Sequence, residues 1–467
     1  MTNSRSRAAT LAVVSVALFM VTLDNLVVST ALPTIRVDLH AGLEALEWTV
    51  NAYTLSFAVL LLPASALGDR FGRRRTFLIG LGLFTTASAL AALAPSTGAL
   101  IAARALQGAG AAAVAPLSLT LLSEAFPVNR RGIALGVWSG VSGLGVALGP
   151  LVGGAVLEGL DWQWIFWINV PVGLLLIPVA RRILAESHGP ASQLDFGGLG
   201  LGALGLLGIT FGIVRGNPEG WGSLQVVGAL AIGAVSLAAF VAYELRVARH
   251  PMLPMRFFAS RGFAATNGVS LIMFFGMFGS IFFLTQVFQT AQGYSALESG
   301  LRTLPWTAMP IFVAPFAGLL SDRIGSRPLM VAGLTLQTFA IVWIATVVAV
   351  DTPYLELVPA FVMGGAGMAL VFAPAANAVL ASVAPEEAGQ ASGATNAIRE
   401  VGGVMGVAIL SAVFSGSGSY ASPATFIDGV TPALWVGAAV LGLGAVVATL
   451  VPAKDRAVAP ATAPVPA

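Results

Sequence analysis

The chain has 467 residues, 57% of them hydrophobic and only 9% charged, with a mean hydropathy of +0.88. Soluble domains carry about 25% charged residues, so this composition points away from them and toward an integral membrane protein with little extramembrane mass. A formal charge of +2 gives no basis for nucleic-acid binding. The absence of cysteine excludes disulfides and thiolate chemistry, and three scattered histidines (His40, His188, His250) form no metal cluster.

The first apolar run extends from Ala8 to about Leu32, behind Arg5 and Arg7. It is too long for the core of a signal peptide and it contains Asp24, so it reads as an uncleaved first helix. A carboxylate in hydrocarbon costs ~2.5–3.5 kcal/mol on insertion scales, which makes Asp24 the first candidate functional residue. Further segments long enough to span a bilayer follow at roughly 47–67, 76–95, 97–122, 132–157, 163–183, 195–215, 224–245, 262–288, 299–320, 329–350, 355–380, 391–414 and 431–452. With residues 9–32 the reading is an all-α integral membrane fold of fourteen transmembrane helices. The tail after Pro452 is rich in alanine and proline and reads as disordered.

Basic residues order these helices. With the N-terminus inside, Arg5, Arg7, Arg70, Arg73, Arg74, Arg75, Arg130, Arg131, Arg181, Arg182, Arg246, Arg249, Arg256, Arg261, Arg323, Arg327, Lys454 and Arg456 all fall on the cytoplasmic side. Only Arg36, Arg215 and Arg302 fall outside, while Arg104 and Arg399 lie within helices. Trp48, Trp162, Trp164, Trp221, Trp306 and Trp435 fall near outer ends, as an interfacial belt would. Both termini are therefore expected in the cytoplasm.

The cytoplasmic end of helix 2 reads Leu67-Gly-Asp-Arg-Phe-Gly-Arg-Arg-Arg75, and that of helix 10 reads Leu320-Ser-Asp-Arg-Ile-Gly-Ser-Arg327. Both have the form D-R-x-G-x-R. If each copy ends the second helix of a six-helix half, the halves are helices 1–6 and 9–14, and helices 7–8 are an inserted hairpin. The expected divisions are 1–185 for the N-terminal half, 186–250 for the linker and insertion, 251–452 for the C-terminal half and 453–467 for the tail. Repeated halves place a transporter's site at their interface, near the midplane.

Six stretches carry a family resemblance: LDNLVVSTALP (23–33), WTVNAYTL (48–55) leading into GDRFGRRR (68–75), RALQGAGAA (104–112), GVALGPLVGG (145–154), WQWIFWINVPVG (162–173) and GQASGATNAIREVGGVMG (389–406). In this order and at these helix positions the chain resembles the major facilitator superfamily, specifically its fourteen-helix drug:proton antiporter branch. Helix 1 departs from the branch at Asn25 and Ser29, and Ser65 replaces the usual glycine of the first loop motif, whereas the second copy keeps Gly318. The resemblance implies export in exchange for protons across a bacterial inner membrane, by a monomer that needs no cofactor.

Glycine tolerates positive φ, so Gly72 and Gly325 allow tight reversals in the two loops. Asp69 and Asp322 can cap neighbouring helices, and the nearby arginines (Arg70, Arg73, Arg323, Arg327) can pair with acids, Glu124 being the natural partner of Arg73 or Arg74. The resemblance implies that these contacts latch the cytoplasmic side; the alternative is a plain positive-inside anchor. Gly145, Gly149, Gly153 and Gly154 form a smooth face on helix 5 around the helix-bending Pro150. The resemblance implies that this motif marks antiporters, and ordinary close packing is the alternative.

Asp24 lies ~12 Å and Arg104 ~10 Å below the outer ends of their helices, at 1.5 Å per residue. The two can interact if helices 1 and 4 adjoin, with Gln107 one turn from Arg104 sharing the network. They read as a proton-coupling pair or as a structural one. Glu400, ~14 Å from the inner end of helix 13, reads as a second protonatable carboxylate or, with Arg399, as inter-helix glue. Asn51, Asn267, Gln286, Gln289 and Asn396 suit a cavity that recognises amphiphiles. Met273, Met277, Phe274, Phe275 and Phe278 read either as its apolar wall or as helix packing.

No phosphate-binding G-x-x-x-x-G-K-[ST] loop and no catalytic cluster occur, so neither ATP-driven transport nor an enzyme is expected. The favoured reading is a proton-coupled antiporter exporting hydrophobic, cationic drugs or antibiotics. A dedicated exporter of one metabolite, such as a self-made antibiotic or a siderophore, is the alternative, followed by a non-transporting membrane receptor.

Overall fold

The computed structural model describes residues 4–188, 195–248, 251, 253–383 and 388–453. Among them the long elements are all α-helices: α1 (Ser4–Asp38), α2 (Leu43–Phe71), α3 (Arg73–Ala92), α4 (Thr97–Ala125), α5 (Val128–Gly159), α6 (Trp164–Trp167), α7 (Asn169–Ile183), α8 (Phe196–Glu219), α9 (Leu224–Arg246), α10 (Arg261–Gln286), α11 (Ala296–Thr307), α12 (Met309–Ile324), α13 (Ser326–Val347), α14 (Tyr354–Ala381), α15 (Ala388–Ser417) and α16 (Pro423–Ala448). A 3-10 turn, Met255–Ala259, precedes α10, and a π-helical turn, Val287–Ala291, extends it. So apolar a chain has little alternative to helices, because hydrocarbon satisfies no backbone polar group and a helix satisfies its own.

Thirteen helices among the described residues are long and apolar enough to cross a membrane. α5 runs for 32 residues, and its described apolar stretch is Leu148–Gly159. Several helices outrun their apolar stretches: α1 begins at Ser4 and continues to Asp38, and α2 reaches Phe71. Two predicted segments are interrupted. The one at 163–183 breaks at Ile168 between α6 and α7, and the one at 299–320 breaks at Ala308, just before Pro310 opens α12. Proline has no amide hydrogen for the preceding turn, so a helix restarts readily there.

Two of the tryptophans expected in an interfacial belt lie inside instead. Trp162 is buried, and its Nε1 donates to Asp38 Oδ2 at 2.7 Å, joining the α6 entry to the end of α1. Trp306 is buried against Phe361 of α14 and the Gly364–Gly365 surface. Trp164, Trp221 and Trp435 are exposed as a belt requires. Most of the expected tail, residues 454–467, lies outside the described residues.

α1, α2, α3, α4, α5 and α7 pack on one another, as do α10 and α11–α16. α8 and α9 form a tight pair, and α8 also lies against α2 and α15. The two groups meet mainly through α5 against α11 and α2 against α15. α10 is almost wholly inside the bundle. Met273, Phe274, Phe275, Met277 and Phe278 are all buried in it, so this run packs against neighbouring helices.

Candidate functional site

Asp24 is the point on which six elements converge. Its helix, α1, is apolar around it, so a carboxylate that cannot reach water must be satisfied by neighbouring side chains. Arg104 Nη1 of α4 donates to Asp24 Oδ2 at 2.6 Å and to Gln107 Oε1 at 2.7 Å. Gln107 Nε2 and Asn169 Nδ2 donate to Asp24 Oδ1 at 2.8 and 2.7 Å. The same two amides donate to Ser88 Oγ of α3 at 3.2 and 3.0 Å, and the Ser88 hydroxyl donates to the Phe166 carbonyl of α6 at 2.9 Å. Arg104 Nε donates to the Thr49 carbonyl of α2 at 3.2 Å, and its guanidinium lies 4.2 Å from the Tyr53 ring centroid.

Asp24 is 2% exposed, and Arg104 and Gln107 are 0% exposed. A buried ion pair repays desolvation only when its remaining lone pairs and protons are satisfied. Here both carboxylate oxygens accept, and the guanidinium has two further oxygen acceptors and an aromatic face. All three groups facing Asp24 are donors, which suits a group that is acceptor-only when ionised.

Glu400 and Arg399 sit differently. Glu400 is half-buried, and its Oε2 is shielded without a hydrogen-bond partner. Arg399 Nη1 donates to Asn396 Oδ1 at 3.4 Å, while Nε and Nη2 are unpartnered. The Arg399 guanidinium lies 4.5 Å from the Phe372 ring centroid and 5.8 Å from that of Phe274. Tyr53, whose ring carries Arg104, is also within the electrostatic reach of Glu400.

The polar residues expected in a cavity divide. Asn396 is exposed, one turn from Glu400. Asn51, Gln107, Asn267 and Gln286 are buried. Asn267 Nδ2 and Gln286 Nε2 donate to carbonyls of their own helix, those of Phe263 and Phe282, at 2.9 and 2.7 Å. Neither polar atom of the Asn51 side chain has a partner. Gln289 Nε2 donates to the Thr30 carbonyl at 2.9 Å, tying the end of α10 to α1. A separate crevice of about 330 Å³ opens between α8 and α15, lined by Ile213, Asn217, Trp221, Ile409, Ala412 and Val413, away from Asp24.

The loop motifs reverse at glycine as expected, with φ of +109° at Gly72 and +84° at Gly325. Arg73 joins Asp69, at 2.7 Å, to Glu124 at the end of α4. Asp69 is thus engaged by the arginine one turn on from it. Arg74 pairs with Glu186, which accepts from the Arg74 amide at 2.9 Å and so covers the start of α3. Arg70 and Arg323 are exposed, and Arg327 is half-buried. The Asp322 side chain lies outside the described residues.

The glycines of α5 face two partners. A Cβ at Gly145, Gly149 or Gly153 would press on Thr22, Leu26 or Val27 of α1. One at Gly154 would overlap the Ala296 carbonyl of α11, and one at Gly300 of α11 would overlap the Pro150 carbonyl. The two helix groups therefore meet backbone to backbone at this end.

Sequence reasoning found Asp24, Arg104 and Gln107 but missed Ser88, Thr49, Tyr53, Asn169 and Glu186. Asn169 carried a signal, as an amide inside the apolar stretch 162–173. Thr49 acts through its carbonyl, which no side-chain pattern reveals.

The Major Facilitator Superfamily profile matches residues 14–407. The chain is 38% identical over 471 aligned residues to the cephamycin export protein CmcT of Amycolatopsis lactamdurans, covering 98% of this chain and 96% of that one. It is 33% identical over 414 residues to the multidrug resistance protein Stp of Mycobacterium tuberculosis (strain CDC 1551 / Oshkosh), covering 88% and 76% respectively. Among solved structures, an auto-inhibited POT family peptide transporter superposes with a TM-score of 0.70 at 16% identity, over 96% of each chain. At that identity the likeness is one of fold.

Proposed function

Since this chain belongs to the Major Facilitator Superfamily, we propose that it is a proton-coupled antiporter that exports hydrophobic drugs or antibiotics by alternating access. The family consists of multi-pass membrane transporters, so the chain is not an enzyme. The export direction and the substrate class rest on the relatives, one a cephamycin exporter and the other a multidrug resistance protein. The reading places the chain in the bacterial cell membrane with fourteen spans. Both termini and the Asp69 and Asp322 loops face the cytoplasm, in line with the distribution of arginines. The six-helix halves, 1–185 and 251–452, rock about their interface, and 186–250 is an insertion.

The observation that carries proton coupling is the pair of carboxylates, Asp24 and Glu400, within the membrane-spanning helices α1 and α15. Asp24 is sealed in a full shell of donors, and Glu400 is half-open with an unpartnered oxygen. Intramembrane ionisable groups of this kind are functional sites by default. In the proposed cycle Glu400 exchanges protons and meets cationic substrate from the cavity. Protonation of Asp24 after the centre opens releases Arg104 and lets α1 and α4 shift. Arg73, Asp69 and Glu124 latch the cytoplasmic end.

The test is substrate-driven proton movement in proteoliposomes. Substrate efflux should dissipate an imposed pH gradient in the wild type and fail to do so in Asp24→Asn and Glu400→Gln. A resistance panel then separates breadth from dedication: protection against several unrelated compounds supports a multidrug carrier, and protection against one supports the dedicated exporter.

A further inference from the structure

The α2–α15 seam holds a third carboxylate, Glu47, outside the centre described above. Glu47 is 3% exposed, and its Oε2 has no hydrogen-bond partner. Ser411 of α15 lies alongside it, fully buried, with its hydroxyl directed at the Glu47 carboxyl. A buried carboxylate and a buried hydroxyl thus meet across the helices that join the two groups of the bundle.

The surroundings offer Glu47 no counter-ion. On its own helix the neighbouring charge is Glu44, which repels it. Glu44 is itself paired with Arg215 of α8 at 2.7 Å, and Arg215 also holds Glu219 at 2.8 Å. From the α15–α16 connection comes Tyr420, whose hydroxyl donates to Gln286 of α10 at 2.5 Å. Arg36 of α1 rests on the Tyr420 ring, 4.2 Å from its centroid. Among the described residues no ion pair reaches Glu47, and the nearby arginines are engaged elsewhere.

α8 braces the same seam from outside. Arg215 reaches α2 through Glu44, and Phe211 packs on Trp48 at 6.4 Å between ring centroids. Asn217 Nδ2 donates to the Ala412 carbonyl and, at 2.6 Å, to Ser415 Oγ of α15, while Trp221 Nε1 holds Asn217 Oδ1 at 2.6 Å. Glu47 is thus enclosed where α2 and α15 pack together.

We propose that Glu47 is a proton-binding site of this seam, protonated while α2 and α15 are in contact and ionised once the seam opens to the outside. An ionised, unpaired carboxylate is the least favourable occupant of such a place. A neutral carboxyl carries no charge to desolvate there, whereas the Ser411 hydroxyl beside it can donate to the ionised form. Because the proton binds the closed form better than the open one, linkage makes closure pH-dependent. Acid outside favours the closed seam, and rising pH favours opening. The inference rests on the alternating-access reading, but it concerns a group that the Asp24 and Glu400 scheme leaves unused.

The absence of native cysteine allows a direct test. Val37→Cys and Leu355→Cys place probes on exposed positions at the outer ends of α1 and α14. Spin-label distances between them, in the full chain in nanodiscs, report the open fraction against pH. The wild type should open as pH rises. Glu47→Gln, which mimics the neutral carboxyl, should stay closed across the range. Ser411→Ala removes that donor and should move the midpoint to higher pH. Thermal unfolding in the same nanodiscs shows that each variant is folded. A Glu47→Gln titration that superposes on the wild type would overturn the proposal, as would a wild type whose distance ignores pH. The distance is read without substrate, so a Glu47-dependent titration in a protein that shows no proton-driven flux would uphold the seam site and defeat only the antiport reading.

Discussion

Asp24 and Arg104 are eighty residues apart in sequence and 2.6 Å apart in the fold, both sealed from solvent. Their contact draws α1 to α4. The two amides that share it bring in α7 and, through Ser88, α3 and α6. A charge pair of this kind organises half the bundle and cannot be altered at one partner without exposing the other.

Replacing the acid alone should therefore be costly. Asp24→Asn turns an N–H donor toward either Arg104 Nη1 or the Gln107 and Asn169 amides, which are donors themselves, and breaking a buried pair costs about 3–5 kcal/mol. The expected result is a lowered unfolding temperature in lipid and a loss of proton-driven efflux. Arg104→Lys should not rescue function, because an ammonium cannot serve Asp24, Gln107, the Thr49 carbonyl and the Tyr53 face together. Thermal unfolding and vesicle efflux measure the two effects separately.

Asn169 tests the residue that sequence reasoning missed. Asn169→Ala removes one donor to Asp24 and one to Ser88. The loss of a hydrogen bond to a charged buried group is worth about 1–3 kcal/mol. Stability should fall by less than in Asp24→Asn, and efflux should weaken without vanishing, because Gln107 and Arg104 still hold the carboxylate. Equal loss in both variants would contradict the arrangement.

At the α5–α11 contact the prediction is steric. Gly300→Val places side-chain atoms against the Pro150 carbonyl, and backbone cannot yield as a flexible side chain can. The variant should hold this end apart, widening the distance between probes at Val37 and Leu355 at every pH. Gly82→Ala, at a glycine with open space around it, should leave the distance unchanged.

The loop latch should act on rate rather than on stability. Arg73, Asp69 and Glu124 are only partly buried, and surface pairs contribute about 0–1 kcal/mol. Glu124→Gln should leave unfolding nearly unchanged while lowering turnover with little change in KM. A marked fall in stability would make the contact an anchor instead.

Tyr420, in the connection between α15 and α16, supplies a titration. Burial pushes its phenol far above the ordinary tyrosine range, against a smaller opposing effect of Arg36. A raised folded pKa means that its contribution to stability is complete below about pH 10 and is lost as pH rises further. Ultraviolet titration should show a late phase of tyrosine ionisation that accompanies unfolding, and Tyr420→Phe should reduce its amplitude by one tyrosine.

Much of the fold was legible because hydrocarbon leaves a chain few options. Apolar length located the helices, and positive φ at Gly72 and Gly325 followed from their place in D-R-x-G-x-R. Helix ends were less visible, since α1 and α2 continue through polar residues that hydropathy discounts. The breaks at Ile168 and Ala308 fell inside apolar segments that read as continuous. At the candidate site, Asp24 and Arg104 stood out because charge is conspicuous in an apolar run. Ser88 and Thr49 did not, since a hydroxyl and a backbone carbonyl leave no mark on composition. Trp162 and Trp306 show the limit of the belt rule: nearness to a helix end does not say whether a ring faces lipid or the interior.

The central claim is that substrate leaves in exchange for protons through Asp24. It is tested most directly by reconstituting the chain in liposomes and recording proton flux on addition of a hydrophobic cationic antibiotic, beside Asp24→Asn. The account predicts antibiotic-dependent proton flux in the wild type and none in the variant. Antibiotic efflux in Asp24→Asn that matches the wild type and is still driven by protons would contradict it.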